Sequence, residues 1–147
     1  MEENLGSIMA QVSRLMRRDF DAKARTIGVT RPQWQVLTLL NLHQGINQGG
    51  LAEMLEVEPI TMGRMIDRLQ DANLVERRAD PADRRAWRLF LTTKAQDMLE
   101  QLRPMANETF DAALEGITAA QRDQIVALMR KIRDNLSRRV PDTRLSH

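Results

Sequence analysis

Residues 59–92, PITMGRMIDRLQDANLVERRADPADRRAWRLFLT, predict a helix followed by a β-hairpin. The first part, Pro59–Asn73, repeats apolar side chains at helical spacing along one side. These are Met62, Met65, Ile66 and Leu69. The opposite side carries Thr61, Arg64 and Arg68, which lie three or four residues apart and therefore share one strip of the helix surface. The pattern predicts a helix that buries one side and presents a basic strip to a partner.

Two short β-prone runs follow this helix, Leu74–Arg78 and Trp87–Leu91. The segment between them contains a proline and two aspartates, which favour a loop. Arg84 and Arg85 lie at the tip of the predicted hairpin, and adjacent arginines suit the enhanced negative potential of a narrow DNA minor groove. We predict that Asp83 orients one of these arginines and does not contact DNA.

A shorter helix precedes the basic one and completes a helix-turn-helix. Asn47 is placed to cap a helix from Gln48 to Glu56, and Pro59 suits the first turn of the next helix. A helix with an arginine strip, followed by a hairpin with arginines at its tip, is suited to binding DNA in both the major and the minor groove. We therefore predict a winged helix-turn-helix DNA-binding region over residues 30–92, in a fold that is mainly α with a small β-hairpin.

Three Thr-x-x-Gln sequences predict helix starts by the capping-box pattern. They are Thr30–Gln33, Thr93–Gln96 and Thr118–Gln121. Amphipathic helices at both ends of the chain carry more apolar surface than a DNA-binding module of this size can cover. The sequence therefore predicts a helical dimerisation region over 1–28 and 94–138, one compact protomer and an obligate homodimer. Residues 139–147 are predicted to form a disordered tail.

Composition limits the class of protein. The 147 residues suffice for one hydrophobic core, and the net charge is only +2, so any DNA affinity must depend on where the basic residues lie. The chain contains no cysteine, and its apolar runs are far shorter than the roughly 20 residues that span a bilayer. The N-terminus lacks the features of a signal peptide. We expect a cytoplasmic protein without a membrane partner.

Catalytic motifs are missing from the sequence. The histidines are His43 and His147, and there is no phosphate-binding glycine loop, His/Cys cluster or serine nucleophile motif. We therefore predict a protein that is not an enzyme and holds neither a cofactor nor a metal.

The most specific part of the sequence resembles the MarR family of bacterial transcription regulators, and within it the SlyA-like branch. Three segments carry the resemblance, which extends from Leu5 to about Arg138. They are Thr61–Leu69, Leu74–Arg78 and the D-x-x-D-R-R wing at Asp80–Arg85. The resemblance implies a homodimeric repressor whose two recognition helices enter successive major grooves of a palindromic operator while the wings flank them. It also implies release of DNA by small anionic aromatic compounds.

The resemblance further implies a site for an aromatic carboxylate at Arg14, Arg17 and Trp34. Arg14 and Arg17 lie three residues apart on the first helix, and arginine suits planar anions. Trp34 is equally compatible with a place in the core. One departure concerns Glu58, where many family members have serine, because a carboxylate there would repel a nearby phosphate.

Less specific interpretations exist for each predicted DNA contact. Arg64 and Arg68 could be solvated arginines paired with Asp67 and Asp71, and the wing arginines could be ordinary loop charges. For the whole chain, the alternative to a DNA-binding regulator is a winged-helix protein-interaction adaptor without specific DNA binding.

Overall fold

The computed structural model describes residues 2–139, which form six helices and one antiparallel hairpin. The helices are α1 (Leu5–Arg25), α2 (Arg31–Leu42), α3 (Gln48–Leu55), α4 (Pro59–Asp71), α5 (Thr93–Ala113) and α6 (Ala119–Arg139). The strands are β1 (Val75–Ala79) and β2 (Trp87–Leu91). The predicted fold class is confirmed: the chain is mainly α, with a winged helix-turn-helix formed by α2–α4 and the hairpin.

Two of the predicted capping boxes start helices as expected. At α2, the Gln33 amide donates to the Thr30 hydroxyl (3.4 Å) and the Thr30 amide donates to the Gln33 side chain (3.0 Å). At α6, the Gln121 amide donates to the Thr118 hydroxyl (3.2 Å) and the Thr118 amide donates back to Gln121 (2.9 Å). Each pair satisfies two amides that a helix start leaves without a partner.

The third predicted capping box is wrong by one residue. The Ala95 amide donates to the hydroxyl of Thr92 (3.1 Å), and Thr93 is already the first residue of α5. The Thr92 hydroxyl also donates to the carbonyl of Asn73 (2.7 Å), at the end of the turn before β1. A contact distant in sequence therefore decides which of two adjacent threonines caps the helix.

The winged helix is built on a single apolar cluster. From α4, Met62 and Ile66 are fully buried and Leu69 nearly so, which confirms the inward side predicted for this helix. Burying a side chain of this size contributes roughly 1.5–3 kcal/mol. The cluster also includes buried residues of α2, α3 and the strands. These are Val36, Leu37, Leu40, Leu51, Ala52, Val75, Leu89 and Leu91.

The hairpin is held to the helices along the free edge of β2. β1 and β2 pair in antiparallel register with Val75 opposite Leu91. The Gly45 amide donates to the carbonyl of Leu89 (2.8 Å), and the Leu89 amide donates to the carbonyl of Ile46 (2.9 Å). The segment between α2 and α3 thus pairs with the wing, so the base of the hairpin is fixed to the helix-turn-helix.

The chain divides into two compact units, one ending at Phe110 and one beginning at Asp111. This boundary lies within α5. In the second unit the Arg122 guanidinium donates to the carbonyls of Ile117 (3.3 Å) and Leu114 (3.2 Å), which fixes the turn before α6. No residue of α6 is buried.

The predicted tail at 139–147 begins at the last residue of α6, and the rest of it lies outside the described residues. Among the helices described, none is both long and apolar enough to cross a membrane.

Candidate nucleic-acid interface

The predicted strip on α4 is exposed to solvent. Thr61, Arg64 and Arg68 are all exposed, on the side opposite buried Met62 and Ile66. Within residues 2–139, neither arginine has a hydrogen-bond or ion-pair partner for its guanidinium group. The strip therefore presents two uncompensated cations.

The alternative pairing of the strip with aspartates on α4 is not found. The Asp67 carboxylate lies 2.6 Å from Nη1 of Arg77, on β1, and makes no ion pair with Arg64 or Arg68. Asp71 has no ion pair within the described part of the chain. The cations on the strip remain available to an external anion.

Ile60 belongs to the same strip but was not identified from the sequence. Its side chain is 72% exposed, and it lies four residues before Arg64 on the first turn of α4. The helical spacing predicts that Met62, Met65, Ile66 and Leu69 lie on the inward side and makes no prediction for Ile60. The i, i+4 relation to Arg64 was the available signal, and it places an apolar group beside the arginines.

Glu58 is the N-cap residue of α4 but makes no capping hydrogen bond with its side chain. The carboxylate is exposed at the start of the strip. The Glu58 carboxylate therefore does not cap the amides of α4 in this structure.

Arg77 fastens the wing to both helices of the helix-turn-helix. Its guanidinium donates to the side-chain oxygen of Gln48 on α3 (3.2 and 3.3 Å) and to three groups on α4. These are the carbonyl of Gly63 (3.2 Å), the Asp67 carboxylate (2.6 Å) and the side-chain oxygen of Gln70 (2.8 Å). The Arg77 side chain is only 17% exposed. It acts as a brace between β1, α3 and α4, a role that hairpin composition alone did not indicate.

Two aspartates stabilise the conformation of the wing loop, because each side chain accepts a hydrogen bond from the backbone amide two residues further along the chain. Asp80 accepts the amide of Ala82 (2.9 Å), and Asp83 accepts the amide of Arg85 (2.9 Å). The Ala82 amide, with help from the Arg88 guanidinium, holds the pKa of Asp80 below its usual value. Asp83 thus acts on the backbone of the loop that carries the arginines.

The five arginines of the hairpin fall into two groups. Arg77 is the brace, Arg88 pairs with Asp80 (3.4 Å), and Arg78 lies over the Phe90 ring at 4.1 Å and pairs with Glu76. Arg84 and Arg85 are exposed, and their guanidinium groups have no partner in the described structure. Internal pairing therefore leaves free the two arginines at the wing tip.

A separate cavity lies between α1, α2 and α5, with a volume of about 290 Å³. Its lining is mostly apolar. The lining side chains are Met16, Arg17, Phe20, Trp34, Thr38, Ala106, Thr109 and Phe110. Of the three residues predicted for a carboxylate site, the structure brings Arg17 and Trp34 to this cavity, whereas Arg14 does not line it.

Trp34 is fixed in the wall of this cavity by two contacts. Its indole N–H donates to Asp21 (2.7 Å), and its ring packs edge-on against Phe20 with centroids 5.0 Å apart. Burial raises the pKa of Asp21, but the hydrogen bonds from Arg31 and Trp34 outweigh it and leave that pKa below its usual value. Trp34 is therefore both a packing residue and a cavity wall, and only its ring remains available to a ligand.

The charged groups near the cavity differ in their availability. Lys23 is paired with Asp19 (2.8 Å), and both contact the buried hydroxyl of Thr109. The Lys23 hydrogen bond, followed by that from Thr109, lowers the pKa of Asp19. Arg17 has no ion-pair partner in residues 2–139, so it is the lining cation available to an anion.

Comparison with known proteins agrees with this architecture. The model of the MarR family matches residues 29–87, which include α2–α4 and the wing loop. A MarR transcriptional regulator from Methanosarcina mazei Go1 is 26% identical, with a TM-score of 0.82 over 92% of this chain and 98% of that one. These are regulators of transcription, in agreement with the prediction that the chain is not an enzyme.

Two further structures are similar. A mutant of Escherichia coli MarR complexed with operator DNA is 25% identical, with a TM-score of 0.73 over 87% of this chain and 92% of that one. The transcriptional regulator SlyA is 20% identical, with a TM-score of 0.77 over 92% of this chain and 96% of that one, a likeness of fold alone. The family model thus matches the winged-helix region of this chain, and most of the chain is similar in fold to solved structures of MarR transcriptional regulators.

Proposed function

We propose that this protein is a sequence-specific regulator that binds double-stranded DNA as a homodimer at a palindromic operator. One observation carries the proposal. Internal pairing engages Arg77, Arg78 and Arg88. Within residues 2–139, Arg64 and Arg68 on α4 and the two arginines at the wing tip have no partner. A free basic strip on a recognition helix, followed by a basic wing tip, suits a major groove and the minor groove next to it.

The similar structure of the Escherichia coli MarR mutant contains operator DNA. This supports the proposal that the winged helix of the present chain also binds DNA. Selecting genomic fragments that bind the purified protein, followed by footprinting, tests the proposal. Protected sites with two-fold symmetry are expected. A protein-interaction adaptor would enrich no common sequence.

The homodimer is proposed from apolar surface that a single chain leaves exposed. On α1, Leu5, Ile8, Val12 and Leu15 are 42–64% exposed along one stripe. On α6, Ile125, Val126, Leu128, Met129 and Leu136 are 42–60% exposed. A monomer seldom keeps so much apolar surface in water, and a second copy would cover it.

Sedimentation tests this part of the proposal. At micromolar concentration the protein should sediment as a dimer, and Leu15→Asp should shift it toward monomer because a carboxylate would be buried in the interface. Ser13→Asp, at a neighbouring exposed position, adds the same single negative charge and serves as the control. A folded wild-type monomer at these concentrations would contradict the proposed dimer.

We also propose that a small aromatic carboxylate binds the cavity beside Trp34 and releases DNA, which makes the protein a ligand-responsive repressor of the SlyA-like branch in the cytoplasm. The cavity volume of about 290 Å³ is near the lower end of ligand pockets, roughly 300 Å³. An apolar wall with one free arginine suits an aromatic ring that carries one negative charge.

Salicylate or benzoate titration tests the ligand site. Either compound should lower the DNA affinity of the wild type, and Arg17→Ala should abolish the response because the carboxylate loses its cation. Arg14→Ala should respond as the wild type does, since Arg14 does not line the cavity. If neither compound changes wild-type affinity, this class of effector is wrong for the cavity.

A further inference from the structure

A cleft lies between α4 and the wing, beside the strip that carries Arg64 and Arg68. It has a volume of about 460 Å³ and opens widely to solvent. Its lining side chains are Gln48, Asp67, Gln70, Arg77 and Trp87. Trp87, on β2, is 50% exposed, which is unusual for a large aromatic side chain beside a polar cleft.

The hydrogen bonds made by Arg77 determine which donors and acceptors remain unoccupied in this cleft. Arg77 takes the side-chain oxygens of both Gln48 and Gln70 as acceptors. A glutamine whose oxygen is occupied has two N–H donors left, and neither of these amides donates a side-chain hydrogen bond within the described residues. Arg77 also pairs with Asp67 and compensates its charge. The cleft therefore offers hydrogen-bond donors beside an aromatic side chain.

The position of the cleft determines what could enter it. Gly63, Asp67 and Gln70 form the side of α4 that turns toward the wing, adjacent to the arginine strip. Neighbouring major and minor grooves of duplex DNA are separated by one sugar–phosphate strand. If α4 occupies the major groove and the wing tip the flanking minor groove, this strand must cross the space between α4 and the wing.

We propose that this cleft is a binding site for one sugar–phosphate unit of the DNA backbone, a site that rests on the proposed DNA-binding function. The amides of Gln48 and Gln70 donate to the phosphate oxygens, and the Trp87 indole packs against the deoxyribose. Arg77 is a positioning residue, because it occupies the oxygen of each amide and leaves their N–H groups for another acceptor. Contacts of this kind set the register of a protein on the duplex without selecting a base.

Replacing glutamine by glutamate tests the donors without removing the brace. Gln48→Glu and Gln70→Glu each keep an oxygen for Arg77 but replace the amide N–H donors by a second carboxylate oxygen. Each variant should remain folded and should bind operator DNA about tenfold more weakly, since the carboxylate repels the phosphate. Gln101→Glu, at an exposed position of α5, introduces the same charge outside the cleft and should bind almost as the wild type does.

Tryptophan fluorescence tests the sugar contact independently. The chain has two tryptophans, so in the Trp34→Phe variant the measured tryptophan fluorescence comes from Trp87 alone. Operator DNA should protect the Trp87 emission from acrylamide quenching, and Trp87→Ala should weaken wild-type binding about fivefold at specific and non-specific sequences alike.

Two results would overturn the site while leaving the proposed function intact. One is that Gln48→Glu and Gln70→Glu bind operator DNA with the same affinity and the same salt dependence as Gln101→Glu. The other is a Trp87 that is quenched equally with and without DNA. If the wild type itself does not bind duplex DNA, the proposed function and the site fail together.

Discussion

The double substitution Arg84→Ala/Arg85→Ala should weaken operator binding by about tenfold or more. These are the two hairpin arginines that internal pairing leaves free, and they extend from a loop whose backbone Asp80 and Asp83 hold in shape. Because a preformed loop presents both cations together, DNA binding does not have to order the loop first. The loss should therefore be large, and circular dichroism should show an unchanged fold.

The wing substitution should also change which DNA sequences the protein prefers. A minor groove presents A·T and T·A pairs almost alike, but its width and potential vary strongly with sequence. The double variant should lose its preference for A·T-rich flanks, keep its preference at the central bases and show a salt slope smaller by about one to two units. Arg103→Ala, an exposed position of α5 whose arginine pairs with Glu100, provides a charge control. An unaltered flank preference in the double variant would show that the wing does not contact the minor groove.

Arg64→Ala should weaken specific binding by about 1–3 kcal/mol and relax discrimination at one base pair in each half-site. Arg64 lies toward the N-terminal half of α4, on the exposed strip, and Asp67 is held away from it by Arg77. Its guanidinium can therefore present two parallel donors to a guanine without first breaking an ion pair. Among recognition helices, N-terminal residues are those that contact base edges.

Binding to a panel of operators with single base-pair changes measures this effect. Arg68→Ala, one turn further along the same strip, serves as the comparison, because both substitutions remove one exposed arginine that has no partner in the described part of the chain. Equal loss of specific and non-specific affinity in Arg64→Ala would mean that Arg64 contacts phosphate only, and its role in base recognition would be wrong.

Much of the winged helix could be predicted from the sequence because its signals are local and periodic. Met62, Ile66 and Leu69 follow the period of a helix, and the bounds of β2 agree with the prediction. Helix and strand periods depend on backbone geometry alone, so an exposed strip and a hairpin tip follow directly from spacing.

Other features depend on contacts between distant residues and could not be predicted. The sequence did not distinguish Arg77 from the other four arginines of the hairpin. Its role depends on a contact with Gln48, which lies 29 residues away in the sequence. The cap of α5 moved to Thr92 because of Asn73, and Arg17 but not Arg14 reached the cavity because helix rotation selects one side of α1. Trp87 and Ile60 were missed for a related reason, since an apolar side chain in a periodic segment is ordinarily assigned to the core.

The dependence of operator affinity on salt concentration tests the central claim most directly. The two arginines of the α4 strip and the two at the wing tip, which have no partner within residues 2–139, give eight cations in a dimer. Each phosphate that is neutralised contributes about 0.9 to the slope of log K against log salt. With about half or more of these cations on phosphates, the slope for a palindromic operator should be about −4 or steeper, with affinity well above that for unrelated duplex. A slope near zero and no preference for any duplex sequence would contradict a DNA-binding regulator and favour a protein-interaction adaptor.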